Sequence, residues 1–218
     1  MSPTFSHLLA AATGALTVLA VLTPYMAHLR RAKRTSDYEA NHDSLTGLAN
    51  RRGLTRRLRN LLAASRPVGV ILLDLNGFKR VNDTPAVGHA GGDDLLRHVA
   101  RILAALPPPA LLAARFGGDE FVVLVDGDLT TTGQIADELA WTINGAPIRI
   151  AGHQFPITAS VGYTASRPGQ TVRRLLREAD LAMFDAKRID RGRRVVAWPP
   201  DDDEPAIADR PHRRIRDC

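Results

Sequence analysis

The sequence predicts a single α+β domain, and three features carry that prediction. Val68 to Asn76 (Val-Gly-Val-Ile-Leu-Leu-Asp-Leu-Asn) is a branched apolar run, as expected of a strand buried on both faces, and it ends in a carboxylate, Asp74. The apolar runs Leu111 to Ala114 and Val122 to Val125 flank Arg115-Phe116-Gly117-Gly118-Asp119-Glu120-Phe121, which reads as a β-hairpin with two acids at its tip. Amphipathic helical stretches are interleaved with these and later strands.

Taken in order, residues 1–35 form an apolar segment with a basic flank, 36–198 the folded domain, and 199–218 a charged tail. Leu8 to Ala27 is uncharged and long enough to cross a bilayer as one transmembrane helix. Arg30, Arg31, Lys33 and Arg34 follow it, which predicts a single pass through the inner (cytoplasmic) membrane with the domain in the cytoplasm. A helix is predicted from Asn50 to about Ser65, then the Val68 strand, a helix from about Asp93 to Leu106, and the hairpin. Next come a helix from about Thr131 to Asn144, strands near Ile148 and from Ile157 to Thr164, a helix from Thr171 to Arg188, and a strand near Arg194. After Trp198 the chain turns to Pro-Pro, Asp201 to Glu204 and a mixed basic end, which buries too little to order itself.

Composition narrows the chemistry. With 218 residues, 44% of them hydrophobic, the chain supports one full core. The one cysteine is Cys218, which excludes a disulfide framework or a thiolate cluster within the domain. The net charge of +6 is concentrated beside the apolar segment, where anionic lipid is the nearer partner. No aromatic interleaving offers stacking platforms for nucleic acid.

Gly117 and Gly118 are expected to supply positive φ values and to let a phosphate approach the backbone, with Asp119 and Glu120 holding Mg²⁺ against it. A solvated acid pair on a surface turn is the ordinary meaning of such a stretch, and Asp74 tips the balance. If its strand lies beside the hairpin, Asp74, Asp119 and Glu120 converge, and three ionised carboxylates in a small volume require a cation. Oxygen ligands favour Mg²⁺ or Mn²⁺ over zinc.

Four motifs in order then resemble those of the GGDEF family, the diguanylate cyclases, from about Asp43 to Val196. Asp43-Ser44-Leu45-Thr46-Gly47-Leu48-Ala49-Asn50-Arg51-Arg52 resembles the opening motif, Asp74 to Asp83 the first metal and substrate motif, Gly88 to Asp93 the next, and the hairpin the last. The resemblance implies a nucleotidyl-cyclase-like fold, a central mostly antiparallel sheet flanked by helices. It implies a nucleotidyltransferase that joins two GTP into cyclic di-GMP, releasing pyrophosphate, as a homodimer with one GTP in each facing domain. Two Mg²⁺ ions per GTP would be held by Asp74, the Leu75 carbonyl, Asp119 and Glu120, with Asp119 as proton acceptor. Asn82 and Asp93 match the guanine-reading pair, His89 a substrate contact, and Lys79, Lys187 and Arg191 the phosphate contacts.

Three departures stand out. Thr84-Pro85-Ala86-Val87 makes the link from Asn82 to Asp93 about two residues longer than usual. Asp190 replaces the usual glycine of the closing motif, which reshapes the turn there and makes Arg193 an alternative phosphate contact. The first two favour a rival reading, a degenerate module that binds GTP, cyclic di-GMP or a protein partner without turnover. Third, Pro108-Pro109-Ala110-Leu111 lacks both charges of the family's Arg-x-x-Asp product-inhibition motif, so feedback through that site is expected to be missing.

Overall fold

Strands and helices follow one another as α1 (Arg51–Ala63), β1 (Gly69–Asn76), α2 (Phe78–Asn82), α3 (Gly88–Ala104), β2 (Ala110–Arg115), β3 (Glu120–Val125), α4 (Leu129–Asn144), β4 (Ile148–Ile150), β5 (His153–Phe155), β6 (Thr158–Ala165), α5 (Val172–Asp190) and β7 (Val195–Ala197). The structure, a computed structural model, describes residues 22–23, 25–28, 31, 33, 35–145, 147–190 and 195–198. Contacts divide the chain into Met1–Ala40 and Asn41–Cys218. In the first unit the described residues between 22 and 39 are helical. Residues 8–21 of the expected membrane span, and the tail from 199, lie outside the described residues. Among the described residues no helix is long and apolar enough to cross a membrane.

In the second unit β1 occupies the middle of a five-stranded sheet of order β2-β3-β1-β6-β7. Its near-continuous apolar sequence suits that place, because both of its faces are covered. Pairing is antiparallel from β2 through β6, and β6 with β7 is the parallel exception, so the expected mostly antiparallel sheet is mixed at one edge. Ile71, Leu73 and Leu75 of β1, with Phe121 and Val123 of β3, pack against Leu95, Leu96 and Val99 of α3 and Leu139 of α4. Val70, Leu72, Val122 and Leu124 point the other way, onto Leu54 and Leu58 of α1 and Leu175, Ala179 and Met183 of α5. The period of two along each strand thus sorts the side chains into two cores.

Local chemistry sets the helix starts. The Asn50 side chain accepts a bond from the Gly53 N–H at 3.0 Å to cap α1, and Asp128 accepts from the Thr131 N–H at 2.8 Å to cap α4. Two short elements, α2 and β5, escape the sequence reading, and α3 starts at Gly88 rather than near Asp93. Gly88-His89-Ala90-Gly91-Gly92 reads as loop because glycine disfavours helix, but Gly91 and Gly92 are buried. A Cβ at Gly92 would collide with the Asn82 side chain, so the glycine lets α2 lie directly on α3.

Helix α5 lies equally close to β6. A Cβ at Gly162 would overlap the Met183 nitrogen and the Ala179 carbonyl, backbone atoms that cannot turn aside. Gly162→Ala is therefore expected to destabilise the domain by about 3 kcal/mol, the upper range for overpacking. A urea midpoint within error of wild type would show that α5 shifts at little cost.

Candidate active site

The β1–β3 register pairs Asp74 directly with Glu120. Directly opposed residues share a face, so both carboxylates rise at the same end of the sheet toward α5. From α5, Lys187 Nζ donates to Asp74 Oδ1 at 2.7 Å. The Leu75 N–H donates to the Asp119 carbonyl at 3.2 Å, which fixes the Leu75 backbone beside Asp119. Burial, then the negative charge of Asp74, pushes the Asp119 carboxyl above the usual range.

Glu120 turns elsewhere. Its Oε2 folds back so near Gly117 that a Cβ there would lie 2.6 Å from it. Its charge also acts on Asp180 of α5, whose pKa is raised to about 6 by burial first and Glu120 second. Among the described residues no three Asp, Glu, His or Cys side chains gather as a metal cage. This corrects the expected threefold convergence: although Glu120 lies opposite Asp74, its carboxylate folds beneath Gly117, so the charges act in pairs, Asp74 on Asp119 and Glu120 on Asp180. The Asp74–Asp119 pair and the Leu75 backbone offer only oxygen donors. That set fits Mg²⁺ or Mn²⁺, whose charge would relieve the repulsion felt at Asp119.

The hairpin tip is held from outside. The Phe116 and Gly117 N–H groups both donate to the Glu120 carbonyl, at 2.8 and 3.3 Å. Arg115 donates from Nε and Nη2 to the Gly118 carbonyl at 3.1 and 2.9 Å, and from Nη1 to both Asp43 oxygens at 3.2 Å. Asp43 Oδ1 also accepts from the Thr46 N–H at 2.9 Å and the Thr46 hydroxyl at 2.7 Å. Burial works against ionisation of Asp43, yet the Thr46 bonds and the Arg115 charge hold its pKa below the usual value. The guanidinium of Arg51 stacks 4.7 Å from the Phe116 ring centre. Neither Gly117 nor Gly118 has the positive φ expected of it. Gly117 is required instead because Glu120 occupies the space a side chain would take, while Gly118 has open space around it.

Asn82 and Asp93 lie on the two packed helices α2 and α3. The Asn82 Oδ1 is buried without a hydrogen-bond partner and abuts Gly92, the neighbour of Asp93. The longer link does not separate them, since the Thr84 carbonyl accepts from the Val87 and Gly88 N–H groups at 3.1 and 2.9 Å and folds the extra residues into a turn. His89 and Lys79 are exposed at the starts of α3 and α2. Arg191 and Arg193 lie outside the described residues, and α5 continues to Asp190. Asp180 is the residue that sequence reasoning missed. Its spacing of seven from Lys187 puts both on one face of α5, a signal masked by the apolar Ala179–Phe184 stretch around it.

The family model described as "Diguanylate cyclase, GGDEF domain" matches residues 40–193. Response regulator PleD of Caulobacter vibrioides is 35% identical over 71% of this chain and 38% of its own length. Diguanylate cyclase DgcP of Pseudomonas aeruginosa is 37% identical over 71% of this chain and 24% of its own. The chain thus spans less than two fifths of either relative. The coiled coil and GGDEF domain of DgcB from Caulobacter crescentus, solved in complex with c-di-GMP, superimposes with a TM-score of 0.72 at 27% identity, covering 84% of this chain and 98% of that one.

The titration of Asp180 gives a direct check on the pairing. A carboxyl with a folded pKa near 6 and an unfolded value of 3.8 binds its proton more tightly when folded, so its contribution favours folding at acid pH and is lost as pH rises through 6. Asp180→Asn should accordingly raise Tm at pH 8 and leave it nearly unchanged at pH 4. Equal effects at both pH values would remove Glu120 and burial as the cause.

Proposed function

Because the chain belongs to the GGDEF family, we propose that it is a diguanylate cyclase that condenses two GTP into cyclic di-GMP as a homodimer. The observation that carries this reading is the register of β1 on β3, which puts Asp74, the Leu75 backbone, Asp119 and Lys187 at one end of the sheet. The turn that absorbs the longer link and leaves Asn82 against Gly92 supports nucleotide binding at the α2–α3 junction.

The 3′-oxygen of one GTP attacks the α-phosphorus of the other, the bond from that phosphorus to the β-phosphate oxygen breaks, and pyrophosphate leaves. Asp119 is the proton acceptor, its backbone fixed beside Leu75 at the end of the sheet. Asp74, the Leu75 carbonyl, Asp119 and Glu120 would hold Mg²⁺, which would supply charge neutralisation along the triphosphate. Glu120 would have to leave the space under Gly117 to join that set. Lys187, Arg191 and Lys79 approach the phosphates. Asn82 and Asp93 read the guanine edge, with His89 beside it. A repeat of the same step closes the ring across the facing domain. The apolar segment of residues 8–27 supports a tether at the cytoplasmic membrane, confining two copies to one plane.

Incubation with GTP and Mg²⁺, read by mass spectrometry for cyclic di-GMP, tests the activity. Asp74→Asn and Glu120→Gln should each lower turnover by roughly two orders of magnitude, ~3 kcal/mol in the barrier, with unchanged circular dichroism. Retention of the wild-type rate by either at limiting Mg²⁺ would refute the metal assignment. Specific activity should also rise with protein concentration, because each turnover needs two loaded domains. A constant value in a preparation shown to be monomeric by light scattering would exclude the dimeric mechanism.

A further inference from the structure

A second concentration of charge lies on the outer face of α3. Arg97, His98 and Arg101 of that helix, Arg149 of β4 and Thr46 of the opening turn line a cavity of about 600 Å³. Asp94 also lines it, and Arg97 Nη1 is paired with Asp94 Oδ1 at 2.9 Å, an exposed pair that offsets one of the positive charges. Arg101 and Arg149 are exposed and form no ion pair among the described residues. Arg101 alone has an ordinary explanation, since a cation in the last turn of a helix faces the carbonyl end of its dipole. Arg149 has none: it comes from a different element, the β4–β5 hairpin, and adds its charge to the same concavity. Burial and then the Arg101 charge hold the His98 imidazole below its ordinary pKa.

The wall opposite is rigid. Thr46 is fixed through both its N–H and its hydroxyl to Asp43, which Arg115 holds in turn. A concavity with guanidinium groups on separate elements is a geometry that binds phosphate, each planar fork taking two oxygens. Its volume lies within the range of small-molecule sites.

We propose that this cavity binds a small soluble anion carrying two or more phosphate groups, through Arg101 and Arg149 with Arg97 as a third contact, at a place separate from the hairpin. The site does not depend on whether the chain turns over GTP.

The test is calorimetric titration of the full chain, in non-ionic detergent at pH 8 and with EDTA present, using inorganic pyrophosphate. EDTA suppresses metal-dependent binding at the hairpin. One molecule per chain is expected, with inorganic phosphate binding at least tenfold more weakly. Arg101→Ala combined with Arg149→Ala should weaken pyrophosphate at least tenfold, and so should Arg149→Glu alone, which alters a single exposed hairpin residue. Lys187→Ala should bind as wild type. Absence of pyrophosphate binding, survival of binding in the Arg149→Glu variant, or its loss in Lys187→Ala would each overturn the proposal, the last by placing the anion at the hairpin. Equal affinity for phosphate and pyrophosphate would overturn the two-phosphate assignment.

Discussion

The antiparallel register of β1 on β3 is the constraint from which the rest follows. Sliding either strand by one residue would turn Ile71, Leu73, Phe121 and Val123 out of the core with α3 and α4. It would also exchange Asp74 for a neighbouring leucine opposite Glu120. Since both faces of the sheet are covered, no alternative register buries the apolar residues equally well. The positions of the acids are thus determined by hydrophobic burial far along the same strands, and the polar end of the sheet inherits its geometry from the apolar middle.

Two attachments convert this register into a site. Helix α5 reaches the sheet closely because Gly162 lacks a side chain, and at that distance Lys187 meets Asp74 and Asp180 approaches Glu120. The hairpin is steadied by Arg115, whose planar guanidinium serves the Gly118 carbonyl and the Asp43 carboxylate at once. The opening motif and the hairpin, some seventy residues apart in sequence, are thereby one structural unit.

Much of this was legible in the sequence because periodicity and branched apolar runs report burial. β1, β3, α1, α4 and α5 fall close to where their patterns place them. The misses have physical causes. Gly88 to Gly92 reads as a loop by propensity, but packing of α2 on α3 rewards residues without side chains and overrides it. β5 is three residues long, too short for its alternation to register. At the site, the motif order singled out Asp74, Asp119 and Glu120, whereas the way their charges pair depended on the fold of the hairpin tip and on α5. The partner of Glu120, Asp180, lay hidden in an apolar stretch for that reason.

The opening turn has one more consequence, which concerns the outer rim of the sheet. β2 is an edge strand, and its backbone would ordinarily be a template for another chain. Ala49 lies along it instead, giving its N–H to the Ala113 carbonyl at 3.3 Å and receiving the Arg115 N–H at 2.8 Å. At the opposite edge β7 extends over just three residues. Such blunted margins discourage strand-to-strand aggregation between copies. Copies of the domain can then be crowded together without their sheets zipping into one another.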